Sequence, residues 1–268
     1  MQTIIITGAS DGIGAELARQ LAGQLRSDVH LVLAARQEPL LERVASSCQA
    51  LGARTSVIRT DVSDPQQCRQ LVAMTVAQCG GIDVLINNAG VSAHAMLADV
   101  HADDLGWYES LMRVNFWGSV WCTHAALPYL RERQGRIVAV SSLAGLVGVP
   151  GRTAYSASKY AMTGFFEALR TELRGSGVSV TTAYPGVVDT QIRVNGLNAK
   201  GQTAGSSGLK EDKAMPVAEC AALILQGMER RERDVVMTWQ GKVGRWMKLI
   251  APSWVDKMAW AALKTPHP

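Results

Sequence analysis

The chain has 268 residues, a length that one α/β domain commonly reaches and that can bury a large core. Hydrophobic residues make up 47% and charged residues 19%, which excludes a disordered chain. The formal charge of +4 includes no basic run, so an anionic cofactor is compatible and a nucleic-acid partner is not expected.

In chain order, strand-like runs fall near residues 3–7, 29–34, 55–59, 82–87, 136–141, 178–184 and 234–238. Helical patterns fill 13–25, 38–51, 65–79, 103–131, 154–175 and 216–230. This alternation predicts an α/β fold in one domain over 1–268, a parallel sheet with helices on both faces. The first and fifth runs are apolar throughout, as a doubly covered sheet requires. The five cysteines are odd in number and show no CxxC spacing. Neither a disulfide framework nor a metal site is expected. No basic lead-in with an apolar core marks a leader, and no apolar run is long enough to span a bilayer. A cytoplasmic location is the expectation, with association at a membrane surface as a reservation that the C-terminus raises.

The first strand ends in Thr7-Gly8-Ala9-Ser10-Asp11-Gly12-Ile13-Gly14 and runs into an amphipathic helix. Glycines there permit a tight turn and close approach of backbone to a diphosphate. The helix start adds free N–H groups and a favourable dipole. The second strand ends in Ala34-Ala35-Arg36-Gln37. A sheet that binds NAD(H) usually places a carboxylate there for the ribose diol. Arg36 instead suits a 2′-phosphate, so NADP(H) is expected ahead of NAD(H). Arg36 also reads as a solvated residue at a helix start, and the acids Asp11 and Glu38 oppose a phosphate nearby.

Tyr155 and Lys159 are four residues apart in a helical stretch, hence on one face. An ammonium beside a phenol favours the phenolate and prepares it for proton transfer. Ser142 closes the fifth strand, Asn87-Asn88-Ala89-Gly90 closes the fourth, and Asn115 lies between them. Taken together, these motifs resemble the short-chain dehydrogenase/reductase family. The TGxxxGxG turn is Thr7 to Gly14, NNAG is Asn87 to Gly90, and a serine precedes YxxxK. Pro185-Gly186 follows the sixth strand. Several spaced motifs in order are specific where one alone is not.

The resemblance covers residues 1–237 and implies a Rossmann-type three-layer sandwich, with strand order 3-2-1-4-5-6-7. It implies an NADP(H)-dependent oxidoreductase interconverting a ketone or aldehyde and an alcohol. Tyr155 would move the proton, Ser142 would bind the carbonyl oxygen, Lys159 would lower the tyrosine pKa and hold the ribose, and Asn115 would position a water. Cofactor contacts would come from Gly8, Ser10, Gly12, Ile13, Gly14, Arg36, Asp61, Val62, Asn88, Ala89, Gly90, Tyr155, Lys159, Pro185, Gly186, Val188 and Thr190. Substrate contacts would come from Ser142, Leu143, Ala144, Tyr155 and Val187, with Val149, His94 and Met96 nearby. Ser141 competes with Ser142 for its role, and Asn115 also reads as an ordinary polar helix residue. His94 is tempting as an acid/base but has no evident partner. The family's oligomers imply a homodimer or homotetramer through the helices near 103–131 and 154–175.

Residues 187–215 contain a Gly/Ser/Ala/Lys-rich stretch from Gly196 to Lys213 and are expected to cover the substrate. The extension over 239–268 holds four of the seven tryptophans, with Lys242, Arg245, Lys248, Lys257 and Lys264 interspersed. Pro252 divides it into two short amphipathic helices. Such a stretch packs over the substrate mouth or against a subunit, or lies in a membrane interface. A bulky hydrophobic carbonyl, such as a lipid, steroid or aromatic ketone, is the expected substrate. The alternative is a catalytically silent NADP(H)-binding regulator, which usually lacks the Tyr-Lys pair.

Overall fold

Ile4, Ile5 and Ile6 are all fully buried because the strand that carries them has no solvent face. Ile4 and Ile6 pack with Leu17 and Leu21 on one side of the sheet. Ile5 packs with Leu71 and Phe166 on the other. This is the pattern of a parallel sheet covered by helices on both sides. The computed structural model describes residues 1–209 and 214–263. The end of the glycine-rich stretch, 210–213, and Lys264 of the basic set lie outside the described residues.

The described strands are β1 (Gln2–Thr7), β2 (Val29–Ala35), β3 (Arg54–Arg59), β4 (Val84–Asn87), β5 (Arg136–Val140), β6 (Ser179–Tyr184) and β7 (Asp234–Val236). They form one sheet in the order β3-β2-β1-β4-β5-β6-β7, parallel throughout. The order reverses between β1 and β4, so their C-terminal ends open a crevice for a ligand. Helices α1 (Gly12–Leu25), α2 (Glu38–Ala50) and α7 (Val217–Glu229) cover one face. Helices α3 (Pro65–Cys79), α5 (Gly118–Glu132) and α6 (Thr153–Glu172) cover the other.

The helix expected over 103–131 is not continuous. A short α4 (Gly106–Met112) leads into a π-helical turn over Arg113–Trp117 before α5 begins. The turn widens the helix where Asn115 must be buried, and such insertions are frequent at functional sites. The α-helical spacing expected from the sequence therefore fails at this point.

The C-terminal extension forms α8 (Trp239–Ile250) and α9 (Pro252–Ala261), divided at Pro252 as expected. Thr238 caps α8 by accepting from the Gly241 N–H at 3.0 Å. Arg245 on α8 pairs with Asp234 on β7 at 3.0 Å. A Cβ on Gly241 would lie 2.4 Å from a Leu143 methyl group, so α8 sits directly on the segment after β5. Leu263 pairs with Leu209 of the 187–215 loop. The inner face of the extension is thus packed, while Trp246, Leu249 and Ile250 on the outer side are 64%, 75% and 80% exposed.

Candidate active site

Gly8 and Gly12 have φ of +66° and +53°, which favour glycine over any L side chain. A Cβ on Gly8 would approach the Ala89 Cα to 2.7 Å, and one on Gly14 would approach the Gly8 carbonyl oxygen to 2.3 Å. The turn is therefore built from close backbone contacts that only glycine permits. The Thr7 hydroxyl accepts from the N–H groups of Asn88 and Ala89 at 3.0 and 3.1 Å. The Asn88 amide returns hydrogen bonds to the carbonyls of Thr7 and Gly8. The glycine turn after β1 and the segment after β4 are one rigid unit.

A cleft of about 470 Å³ opens above this unit. Gly8, Ser10, Gly12, Ile13, Arg36, Asp61, Val62, Asn88, Ala89, Gly90 and Thr190 line it. Gly14 stands behind the lining. Arg36 is exposed, and no ion pair holds it among the described residues. One Asp61 carboxylate oxygen accepts from both the N–H and the hydroxyl of Ser63.

At the other end, Tyr155 and Lys159 lie on one face of α6, 7% and 3% exposed. The Lys159 ammonium donates to the Val140 carbonyl at 2.9 Å and stands 5.8 Å from the centre of the Tyr155 ring. Burial alone would push the phenol up. Lys159, Arg152, Ser142 and Arg193 together hold it below its ordinary value. Burial lowers the Lys159 ammonium; Tyr155 opposes that shift and Arg152 adds to it.

Ser141 and Ser142 separate cleanly. The Ser141 hydroxyl is turned to α6, donating to the Lys159 carbonyl at 3.3 Å. Ser142 faces the phenol, and its hydroxyl accepts from the Ala144 N–H at 3.2 Å. Asn115 is fully buried in the π turn. Its amide oxygen accepts from the Val91 N–H at 2.8 Å, and its amide nitrogen donates to the Val91 carbonyl and the Ser158 hydroxyl. It is not an ordinary polar helix residue. A Cβ on Gly90 would lie 3.3 Å from the Asn115 oxygen and 3.7 Å from the Lys159 nitrogen, so Gly90 lets these groups close up.

The family model for short chain dehydrogenases matches residues 2–200. The chain is 35% identical over 270 residues to an 11-beta-hydroxysteroid dehydrogenase A of Sesamum indicum, covering 97% of this chain and 76% of that protein. The chain belongs to the short-chain dehydrogenase family. It is accordingly an NAD(P)-dependent oxidoreductase acting on CH–OH groups. A short-chain dehydrogenase/reductase from Burkholderia phymatum, solved in complex with NAD, shares the fold with a TM-score of 0.80 at 24% identity. That match covers 100% of this chain and 96% of the other. An alcohol dehydrogenase of Thermococcus sibiricus, solved with 5-hydroxy-NADP, gives 0.74 at 22%, covering 88% of this chain and 96% of that one.

In this short-chain dehydrogenase the segment after β6 joins both ends of the site. The Leu143 N–H donates to the Pro185 carbonyl at 2.9 Å, and Gly186 packs near Leu143 and Thr238. Val187 and Val188 start the 187–215 loop and pair with Met215 at its far end. Thr190 stands over Gly12. Thr190, Ile192, Asn195 and Thr203 line the same cleft as the glycine turn, so this loop covers the cofactor end as well. His94 lies beneath the loop: a Cβ on Gly208 would fall 2.4 Å from its ring. Burial first, then Arg152, lowers its pKa.

The sequence reading missed Arg152. It precedes α6 by one residue, and its guanidinium lies 4.2 Å from the centre of the Tyr155 ring. Its spacing from Tyr155 is one helical turn, but nothing local announces that it folds inward. Ser92, its hydrogen-bond partner, was missed for the same reason.

Proposed function

We propose that this chain is an NADP(H)-dependent reductase and dehydrogenase for a bulky apolar ketone or aldehyde and its alcohol, with Tyr155 as the proton donor and acceptor. The observation that carries this reading is the buried Tyr155 phenol flanked by Lys159 and Arg152, with Lys159 lying against Gly90 of the glycine-lined cleft. The Gly8 and Gly14 contacts leave no room for a Cβ, and the backbone floor they create fits a diphosphate. The nicotinamide supplies or accepts the hydride. In reduction the Tyr155 hydroxyl gives its proton to the carbonyl oxygen, and oxidation reverses the transfer. Ser142 donates to that oxygen as its negative charge grows. Lys159 holds the phenol acidic and would hold the nicotinamide ribose, while Asn115 keeps the Gly90 segment in place beside it.

Leu143, which Gly241 of α8 packs against, would give the substrate an apolar wall together with Ala144, Val149 and Val187, and the relative from Sesamum indicum carries a steroid-dehydrogenase name. Arg36, exposed and without an ion pair among the described residues, is free to meet a 2′-phosphate. Steady-state kinetics with NADPH and NADH on a panel of hydrophobic ketones tests both points. The Arg36→Asp enzyme is expected to shift the NADPH-to-NADH preference toward NADH by roughly 10–100-fold, the scale of one lost charge-assisted contact. An unchanged ratio removes the NADP(H) assignment. NADPH binding with no turnover across the panel favours the regulator instead.

The same chain pairs with its copies as a homodimer or homotetramer through α5 and α6. In support, Trp117 is 44% exposed, stacks on Trp121 and belongs to an aromatic group with Phe116 and Phe165. The outer face of α8 and α9 rests on an anionic membrane surface. Among the described residues no helix is long and apolar enough to cross a bilayer. Yet Trp239, Trp246, Leu249, Ile250, Trp254, Met258 and Trp260 make up half of the exposed large hydrophobics, with Lys242 and Lys257 beside them. An apolar face flanked by cations fits a headgroup layer. The wild-type chain is expected to sediment with vesicles of phosphatidylcholine and phosphatidylglycerol, and the Trp246→Ser/Ile250→Asp double variant to stay in solution. Equal sedimentation of the two removes the membrane contact.

A further inference from the structure

Arg152 is a buried cation whose charge no described carboxylate meets. It is 9% exposed. Its Nε donates to the Ala93 carbonyl at 3.3 Å, and one terminal nitrogen donates to the Ser92 hydroxyl. Among the described residues no ion pair reaches it. The other terminal nitrogen, Nη1, has no hydrogen-bond partner among the described residues and is not sealed from solvent. Burying a guanidinium costs several kcal/mol unless hydrogen bonds and an opposite charge compensate. Here an ionised Tyr155 offsets part of that cost while Arg193 adds to it, and a protonated phenol leaves the guanidinium without an opposite charge among the described residues.

A purely structural tie between the 92–95 segment and α6 accounts for the bonds to Ala93 and Ser92. The cation itself is accounted for by Tyr155, whose phenol it helps to hold acidic. Neither role uses Nη1, which stays open although the guanidinium carbon lies 4.2 Å from the centre of the Tyr155 ring. An open N–H of a fixed guanidinium beside the reacting phenol is the geometry that receives a carboxylate.

We propose that Arg152 binds a carboxylate carried next to the reacting carbon, so that the substrates are keto acids and hydroxy acids with an apolar body. This deepens the preceding reading and rests on Tyr155 marking the reacting end. Reduction stays balanced as before: hydride to the carbonyl carbon, proton from Tyr155 to its oxygen, and the carboxylate unchanged throughout. The apolar body occupies the wall beside Leu143 and α8, and the acid end points toward Arg152.

Binding can be read apart from turnover in the Tyr155→Phe enzyme saturated with NADPH, which keeps the ring under Arg152. Calorimetric titration with 2-oxooctanoate and with octan-2-one compares a carboxylate with a methyl group. The keto acid is expected to bind roughly 10–100-fold more tightly, as one charge-assisted hydrogen bond implies. Adding Arg152→Gln is expected to erase that difference, and Arg152→Lys, which keeps a charge without the fork, to retain part of it. NADPH affinity and the melting temperature of each variant show that the site is still assembled. If Arg152→Gln fails that check, the Arg152→Lys enzyme and the ligand pair on the parent enzyme decide. Equal affinity for the two ligands overturns the proposal, as does a preference that survives the loss of Arg152. Turnover retained by Tyr155→Phe would instead strike the Tyr155 reading, so the two failures are told apart.

Discussion

Tyr155→Phe lowers kcat/KM for ketone reduction by roughly 10²–10⁴-fold, the range that positioned proton transfer supplies. The variant removes one oxygen and leaves the ring beneath the Arg152 guanidinium, so packing is conserved. The hydroxyl is the group that Lys159, Arg152 and Ser142 jointly act upon, and no other described side chain shares that surrounding. Stopped-flow measurement of NADPH oxidation with saturating ketone checks the loss at the chemical step. Cofactor affinity is expected to remain near that of the parent enzyme, because Phe still fills the same space. Turnover within a few fold of the parent would falsify the assignment of the proton to this phenol.

Lys159→Met is expected to cost roughly 10²–10³-fold in alcohol oxidation near pH 7, and to show its cause in the pH profile. Oxidation requires the phenol deprotonated, so its rate rises with pH until the phenol has ionised. In the parent enzyme that rise falls at lower pH than an ordinary tyrosine would give, since the folded phenol is held down despite its burial. Without the ammonium, burial meets less opposition, and the rise moves to higher pH. Arg152 and Arg193 remain, so the shift is smaller than complete removal of positive charge would cause. The substitution also removes a donor from the Val140 carbonyl, a loss of about 1 kcal/mol in stability. A profile measured from pH 6 to 10 with the melting temperature alongside separates the two effects. A lower rate with an unmoved profile would mean that Lys159 acts only on binding and folding.

The sheet and the glycine turn could be read in the sequence because local rules impose them. Continuous apolar runs such as Ile4-Ile5-Ile6 have no stable place except between two helical layers. The contacts around Gly8 and Gly14 tolerate no side chain, so their spacing carries the geometry. The Tyr155–Lys159 pair was legible for a similar reason, as helical spacing alone places both on one face. Ser141 and Ser142 were not separable, because adjacent strand-end residues are told apart only by which way the chain turns afterward. The π turn around Asn115 left no mark in an otherwise helical pattern, since it is set by what Asn115 must reach on the segment after β4 and on α6. Arg152 was invisible for the opposite reason. A basic residue at a helix start is normally solvated, and only the approach of the 92–95 segment, brought by β4 from far away in the chain, turns this one inward. The 187–215 loop was expected over the substrate, but how much of the cofactor cleft it walls depends on long-range packing.

Lys248, near the end of α8, donates to the Tyr160 hydroxyl at 2.6 Å and to the Leu146 carbonyl at 3.2 Å. Tyr160 directly follows Lys159 on α6. The tail of the polypeptide is therefore bolted to the very rod on which the proton-handling groups are mounted. A load on the tail would reach, through this contact, the residue next to the ammonium.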